Sequence, residues 1–276
     1  MPFIDLHIHS SFSDGTEKPA AIVTTLKELG FSALSITDHD TVDGQAEANK
    51  IASKLGIEYV PGVEFSSSYE GIRIHILGYF IDYENQNLIN TTQRLIEERN
   101  KRALKILEKL KSLGIYLELE DVLVKVTNYN IGRLHIAKAM VDRGWVKGVR
   151  AAFDLYLGYG KPAYVPKWTP TPSEIIELYH SSGGLAVLAH PGVIGDDRLI
   201  PRLVEWGLDG IEAFYPEHTP EQVERYNIFC QKHGLVATGG SDSHGKVEGK
   251  PMLGVYRYPY EILEEMKQRL SLLKRC

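Results

Sequence analysis

Cysteine is nearly missing from this chain: Cys230 and Cys276 are the only two in 276 residues, which rules out a disulfide framework. No apolar run approaches the roughly 20 residues of a membrane span. The first residues show no basic stretch followed by an apolar core, so no secretory leader is expected and the cytoplasm is the expected compartment. Positive charge is short as well: 31 Lys and Arg against 36 Asp and Glu leave a net charge of −5. That gives no general reason to expect stable DNA binding, although a local basic patch can still hold a phosphate. No GxGxxG follows the first apolar run, so a dinucleotide-binding fold has no direct support. Internal repeats, heptad arrays and low-complexity tracts are also lacking.

What is present is ordinary globular composition, 43% hydrophobic and 24% charged, in a chain long enough for one α/β barrel of roughly 250 residues. Short apolar runs alternate with helical patterns: FIDLHI, a helix near 18–30, ALSIT, a helix near 44–55, then EYVPGVEF. GIRIHILGYFI at 71–81 adds a strand. After residue 165 the alternation resumes with helices near 172–182, 197–206 and 220–233, interleaved with LAVLA, DGIEAF and LVATGG. This is the βα rhythm of a parallel sheet, and about seven strands favour a closed or distorted barrel over an open sheet. Residues 84–164 break the rhythm with a long charged helical run and helical patterns near 119–126, 132–143 and 148–157. The Gly- and Pro-rich return GYGKPAYVPKWTPTP marks a boundary. The expected organisation is α/β: a barrel built from 1–83 and 165–276, with a helical insertion at 84–164.

Ten histidines carry the chemistry. In MPFIDLHIHSSFSDGT, His7 and His9 stand two apart at the exit of a strand, so they face one side together. Paired neutral imidazoles suit a divalent cation, although HxH alone reads equally well as a core-histidine pattern. Later strand ends repeat the theme: Asp38, His39 and Asp40 after ALSIT, Glu64 in EYVPGVEF, His75 in RIHILGY, His190 after LAVLA, and Asp242 and His244 after LVATGG. Taken singly, His75 reads as a core histidine, Glu64 as a helix cap and Asp14 as a turn residue. In a parallel barrel, however, such strand ends converge on one rim. A His, Asp and Glu set without cysteine suits manganese, iron or zinc, and the donors exceed one ion's needs, so two or three metals are expected.

The order HxH, Asp, DH, Glu, His, HP, DxH resembles the PHP (polymerase and histidinol phosphatase) superfamily from His7 to His244. The resemblance implies a distorted (β/α)7 barrel with a trinuclear metal centre. It assigns one ion to His7, His9, Glu64 and Asp242, a second to Glu64, His75 and His190, and a third to Asp14, His39 and His244. Some members carry histidine where this chain has Asp14, so the third site is expected to be weaker or to prefer a harder ion, magnesium included. Asp5, Asp38, Asp40 and Ser241 read either as supports that orient the imidazoles or as ordinary strand-end hydrogen bonders.

Such a centre predicts phosphoester hydrolysis by a metal-bound hydroxide held by His7, His9, Glu64 and Asp242, with no phosphoenzyme. His190 and His218 are the candidate general acids, although His218 reads more simply as a loop histidine. Within the insertion, NIGRLHIAKAMVDRG places Arg133 and His135 near a helix start opened by Asn130 or Gly132, where an anion is favoured. GRLHIAK, YLGYGKPAYVP and SGGLAVLAHPG resemble the nucleoside 3′,5′-bisphosphate phosphatases and 5′-to-3′ exoribonucleases of the superfamily. In that subgroup an insertion of this type covers the metal site. The resemblance implies that Arg133 and His135 contact substrate phosphate, with Lys161 a weaker third candidate. Tyr156, Tyr159 and Tyr164 read as stacking residues or as core. The expected partner is a small phosphorylated substrate, a nucleotide or a short RNA end. A histidinol phosphatase is the nearest rival, and a catalytically silent metal or nucleotide sensor is the alternative outside enzymes.

Overall fold

The structure, a computed structural model, describes residues 2–124, 131–247 and 250–274. By its internal contacts the chain forms two units, one from residues 1–90 with 170–276 and one from residues 91–169. These borders fall a few residues beyond those expected from composition at both ends of the insertion. Among the described residues no helix is long and apolar enough to cross a membrane. Cys230 is buried, and Cys276 lies outside the described residues.

In chain order the first unit opens with strand β1 (Phe3–Asp5), helix α1 (Pro19–Glu28), β2 (Phe31–Leu34), α2 (Gln45–Leu55), β3 (Glu58–Tyr59), β4 (Gly62–Tyr69) and β5 (Ile72–Tyr79). A long helix, α3 (Gln86–Ser112), leads into the second unit, which continues with α4 (Leu119–Leu123), α5 (Arg133–Asp142), α6 (Val149–Ala152) and a π-helical turn at Phe153–Leu157. The chain then returns to the first unit through α7 (Pro172–Ser181), β6 (Leu185–Leu188), α8 (Pro191–Ile194), a 3-10 turn, α9 (Ile200–Glu205), β7 (Gly210–Phe214), α10 (Pro220–His233) and β8 (Val236–Gly239). A short ribbon of β9 (Lys246–Val247) and β10 (Lys250–Pro251) precedes β11 (Tyr258–Pro259) and α11 (Glu261–Leu273).

Local chemistry sets the helix ends. In α7 and α10, Thr171 and Thr219 cap the free amides while Glu174 and Gln222 reach back to the cap, and a proline fills the first helical position. Gly56 and Gly234 end α2 and α10 in the left-handed conformation that glycine adopts without a Cβ penalty. In α5 the N-cap is Gly132; Asn130, the other candidate, lies outside the described residues.

The strands depart from a uniform parallel barrel. Among the described residues they pair as a four-stranded sheet, β11-β1-β2-β3, a five-stranded sheet, β4-β5-β6-β7-β8, and the ribbon. The long run EYVPGVEF is two strands, because the chain breaks between Tyr59 and Gly62. A two-residue turn at Glu70 and Gly71, both with positive φ, sends β5 back antiparallel to β4. That is the hairpin geometry such turns select. β5 is also antiparallel to β6, and only β6, β7 and β8 continue in parallel. Two isolated parallel bridges, Ile8 with Ser243 and His39 with Glu64, join residues beyond the ends of β1, β2 and β8 to one another and to β4.

Ile4, Leu6, Leu77, Leu185 and Val187 pack with Leu263 and Met266 of α11 in one cluster, and Ile22 and Leu26 of α1 pack with Leu34, Ile36 and with Ala48 and Ala52 of α2 in another. Each buried Leu, Ile, Val or Met among them contributes about 1.5–3 kcal/mol. Gly78 is required where it stands, because a Cβ there would lie 2.7 Å from the Tyr179 ring. The Tyr179 hydroxyl donates to the Ile76 carbonyl and accepts from the Phe65 amide, pinning the hairpin that carries Glu64 and His75. The second unit has its own core, in which Ile106 and Leu110 of α3 pack with Val122, Ile136 and Met140.

Candidate metal centre

The β1 ladder ends at Asp5, and the chain runs on to the bridge at Ile8, whose side chain is buried. Alternation then brings His7 and His9 together, with ring centroids 5.1 Å apart and their Nε2 atoms separated by 3.1 Å. Glu64 stands on β4 with no exposed surface. Its Oε2 lies 3.3 Å from Nε2 of both His7 and His9 and 2.9 Å from His39 Nδ1. Its Oε1 lies 2.9 Å from His75 Nδ1 and 3.1 Å from His190 Nε2. Asp242 Oδ1 is 2.9 Å from His9 Nε2 and 3.4 Å from His7 Nε2. Asp14 lies 3.3 Å from His244, 3.8 Å from His9 and 3.9 Å from His39. All nine residues expected as ligands are thus in one neighbourhood.

Among the described residues, three sets of ligand atoms lie close enough to share an ion: His7, His9 and Asp242; His39, Glu64 and His75; and His9, Asp14, His39 and His244. His39 therefore borders two sets, and His190 reaches the centre through Glu64. The donors fit divalent metals on a further ground. The Nδ1 atoms of His9, His39, His75 and His190 are buried without a hydrogen bond, although those of His39 and His75 stand 2.9 Å from a carboxylate oxygen. Nitrogens and oxygens this close, yet not aimed along a hydrogen bond, share a neighbourhood in the way ligands of a common cation do.

Charge reinforces the point. Burial works to lower the pKa of His7, but Glu212, Asp242 and Glu64 outweigh it and hold the imidazole well above its ordinary value. Burial likewise opposes Asp242 and Glu64 at His9, and the balance lifts it to about 10. His190 is raised against burial by Glu64, whereas burial keeps His75 low despite the same carboxylate. Burial pushes Glu64 and Asp242 upward, and the surrounding imidazoles carry both well below the usual carboxylate range. Asp14 is lowered in the same way by His244, His39 and His9.

Two groups that the sequence does not single out complete the site. Glu212 on β7 is fully buried, takes His7 Nδ1 at 2.9 Å on one oxygen and accepts the His190 backbone N–H at 2.8 Å on the other. A carboxylate only accepts, so Glu212 holds a proton on His7 Nδ1, and Nε2, which faces Glu64 and Asp242, is the nitrogen left for a metal once its own proton is released. The Tyr215 hydroxyl donates to Asp242 Oδ2 at 3.1 Å. The signal for Glu212 is a carboxylate in the middle of the otherwise apolar stretch GIEAF.

The supporting carboxylates hold backbone and hydroxyls. Asp38 accepts from the Ser10 amide and from the hydroxyls of Ser10 and Ser13. Asp40 accepts from the Ser66 amide and hydroxyl, and Asp5 accepts from the Ser241 and His7 amides. Burial raises the Asp5 pKa to about 6 even so. Asp40, His190 and Asp242 all adopt positive φ, a conformation uncommon for non-glycine residues, though more accessible to Asp and His than to most.

His218 does not have a free nitrogen for general acid chemistry. Nδ1 lies 2.9 Å from the Ala213 carbonyl and Nε2 accepts the Gly192 N–H at 3.1 Å. A carbonyl only accepts and an amide only donates, so both ring nitrogens are committed to the backbone. In the helical unit, Arg133 donates to the Leu157 carbonyl at 3.0 Å and lies over the Phe153 and Tyr164 rings. His135 Nδ1 accepts the Gly132 N–H, so only Nε2–H remains for a ligand, and burial lowers its pKa. Lys161 is exposed. Tyr156 packs on the helical core, whereas Tyr159 is 87% exposed and meets the edge of Tyr164.

Residues 5–110 match the profile of the PHP domain. A 3′,5′-nucleoside bisphosphate phosphatase of Chromobacterium violaceum is 34% identical over 255 residues, 90% of each chain. A 5′-3′ exoribonuclease of Haemophilus influenzae is 35% identical over 246 residues, 87% of this chain and 89% of its own. A phosphoribosyl 1,2-cyclic phosphate 1,2-diphosphodiesterase of Eggerthella lenta is 32% identical over 92% of this chain and 98% of its own. Among solved structures, a Bifidobacterium adolescentis protein taken to be a metal-dependent phosphoesterase matches with a TM-score of 0.83 at 32% identity, covering 96% of both chains.

Proposed function

The chain belongs to the PHP-domain family, and from that membership we propose that this metal-dependent phosphoesterase removes the 3′-phosphate of nucleoside 3′,5′-bisphosphates and trims short 5′-phosphorylated RNA. The observation that carries the reading is the buried Glu64 carboxylate, whose two oxygens are shared among five imidazoles with Asp242 alongside. One ion is assigned to His7, His9, Glu64 and Asp242, a second to Glu64, His75 and His190, and a third to Asp14, His39 and His244. The mixed nitrogen and oxygen donors suit manganese, iron or zinc, and the Asp14 set also suits magnesium.

Divalent ions in such a centre supply Lewis-acid polarisation of a phosphoryl oxygen and a lowered pKa for water. The chain's own part is positional. Glu212 fixes the tautomer of His7 and the backbone of His190, Tyr215 orients Asp242, and Asp38 and Asp40 hold the loops that present His9 and His39. Arg133 and His135 are assigned to the substrate's second phosphate on the family resemblance, with Lys161 the weaker third. The bridges at Ile8–Ser243 and His39–Glu64 support closure of the strands into a distorted (β/α)7 barrel.

Phosphate release from adenosine 3′,5′-bisphosphate, a ribosyl 1,2-cyclic phosphate and histidinol phosphate, and nucleoside monophosphate release from a short 5′-phosphorylated RNA, with manganese and with chelator, test the proposal. Chelator-sensitive turnover of the bisphosphate and the RNA is expected. Turnover confined to the cyclic phosphate or to histidinol phosphate would overturn the substrate assignment, and no turnover by metal-loaded protein would point to the sensor.

A further inference from the structure

The helical unit carries a basic face that the metal chemistry does not use. Along α3, Arg94, Lys101, Arg102, Lys105 and Lys109 fall within a sector of about 100°, given the helical repeat. The return segment lies along that face. Lys109 donates to the Tyr164 carbonyl and Arg102 to the Val165 carbonyl, both at 2.7 Å, and the Arg94 guanidinium sits 4.0 Å over the Trp168 ring. Between helix and segment runs a groove of about 290 Å³ whose polar and aromatic lining is Lys101, Arg102, Lys105, Lys167 and Trp168, with Glu98 the one acid.

A purely structural role explains part of this set. Arg102 and Lys109 staple the segment, and Lys101 pairs with Glu98 at 2.9 Å. It does not explain why the exposed Lys105 joins three other cations and a single acid on the same groove in a chain of net charge −5, a local excess of positive charge that attracts a polyanion. Lys101 and Lys105 stand four residues apart, about 6 Å along the axis, a spacing compatible with successive phosphates of an extended strand. Aromatic rings interleave with the cations: Trp168 in the groove, Tyr164 with Arg102 at 6.0 Å from its ring, and the exposed Tyr159 against the Tyr164 edge. Cations that track a backbone beside rings that accept bases are the chemistry of single-stranded nucleic acid binding.

We infer that this groove of the helical unit binds the phosphodiester backbone of single-stranded RNA, with Trp168 stacking on a base. The inference rests on the proposed function for its choice of RNA, and it shifts the preferred substrate from the mononucleotide toward the oligonucleotide.

The test uses the full-length, metal-loaded protein and a hydrolysis-resistant phosphorothioate oligoadenylate of about ten residues, a length that covers such sites. Binding is followed by fluorescence anisotropy across a salt series, and Trp168 is followed by its emission. Contacts to three or four phosphates predict a slope of log affinity against log salt of about −2 to −3. Lys101→Glu with Lys105→Glu should weaken binding at least tenfold at low salt and flatten the slope by about 1.4. Lys105→Ala, at an exposed position, should flatten it by about 0.7 and guards against misfolding of the double variant. Quenching of tryptophan emission should be lost in Trp168→Leu.

Unchanged affinity and slope in both lysine variants would overturn the site. So would equal competition by polyglutamate with no change in tryptophan emission, which would mark a nonspecific basic patch. Turnover of adenosine 3′,5′-bisphosphate by the unaltered enzyme is scored separately. Its failure beside groove-dependent RNA binding removes the proposed function and leaves the site standing, and the reverse pattern removes the site alone.

Discussion

Replacing Glu212 by Gln keeps shape and volume but takes away one of two acceptors. The carboxylate serves His7 Nδ1 and the His190 backbone N–H at once, whereas an amide offers one oxygen and an NH2 group that must face a donor. If the NH2 faces His7, the imidazole moves its proton to Nε2, and the nitrogen that faces Glu64 and Asp242 becomes a donor where a ligand lone pair is needed. If it faces His190, a buried amide loses its partner at a cost of about 1–3 kcal/mol. Loss of a group that orients a ligand histidine typically costs 10–100-fold in metal affinity, or about 1.4–2.7 kcal/mol, so the two routes agree in size. Metal affinity measured against a competing chelator should fall by that factor. The kcat at saturating metal should recover far more than in His7→Ala, which removes a proposed ligand outright. If Glu212→Gln keeps wild-type affinity and kcat/KM within twofold, the tautomer argument is wrong.

The metal-free protein should show a distinctive pH profile. His7, His9 and His190 have raised folded-state pKa values, so their contribution is complete below about 6.5 and fades as pH rises, through about 10 for His9. Glu64 and Asp242 are depressed, so theirs is present above about 4 and is lost as pH falls, and the lowered His75 adds to the loss on the acid side. Thermal unfolding in chelator should therefore peak between about pH 4.5 and 6.5, and metal loading near neutrality should release protons measurable in weak buffer. A steady rise in metal-free stability from pH 6.5 to 9 would contradict this. His218→Ala should lower Tm by leaving the Ala213 carbonyl and Gly192 amide unpaired, about 1–3 kcal/mol each. The pH–rate profile of any residual activity should keep both limbs, and loss of one limb would restore His218 as an acid. Gly78→Ala drives a methyl into the Tyr179 ring and should cost about 1–3 kcal/mol in denaturant unfolding; a loss below 0.5 would show that the ring moves aside freely.

Most of the expected ligands were legible because they stand where an apolar run meets turn residues, a local signal: His7 and His9 after FIDL, His39 after SIT, His190 after LAVLA, Asp242 before SHG. Strand direction was less legible. GIRIHILGYFI reads as a strand in either sense, and only the two-residue turn at Glu70 and Gly71 reverses β5, placing His75 opposite Ser66 rather than at a strand's carboxyl end. Glu212 was hidden because its meaning lies 205 residues away at His7. A glutamate in a strand whose faces are both covered looks, in sequence, like the polar half of an alternating strand. His218 is the converse case: a histidine near a strand end can look reactive, but its two nitrogens on the backbone favour the simpler reading as a loop histidine.

Those two residues also explain how His190 is held. Its φ of 29° places it in a conformation that costs about 1–3 kcal/mol, so neighbouring structure must enforce it. β7 does so with consecutive residues. The Glu212 side chain takes the His190 amide, while the Ala213 carbonyl fixes His218, whose other nitrogen takes the amide of Gly192 two residues beyond His190. Gly192 is needed there because a Cβ would lie 2.6 Å from the His218 ring. The turn is thus held on both sides of Pro191 from one strand, and the same Glu212 carboxylate sets the tautomer of His7. β7 supplies none of the nine expected ligands, yet through Glu212 and Ala213 it constrains two of them, which gives a fully buried carboxylate on this strand its physical reason.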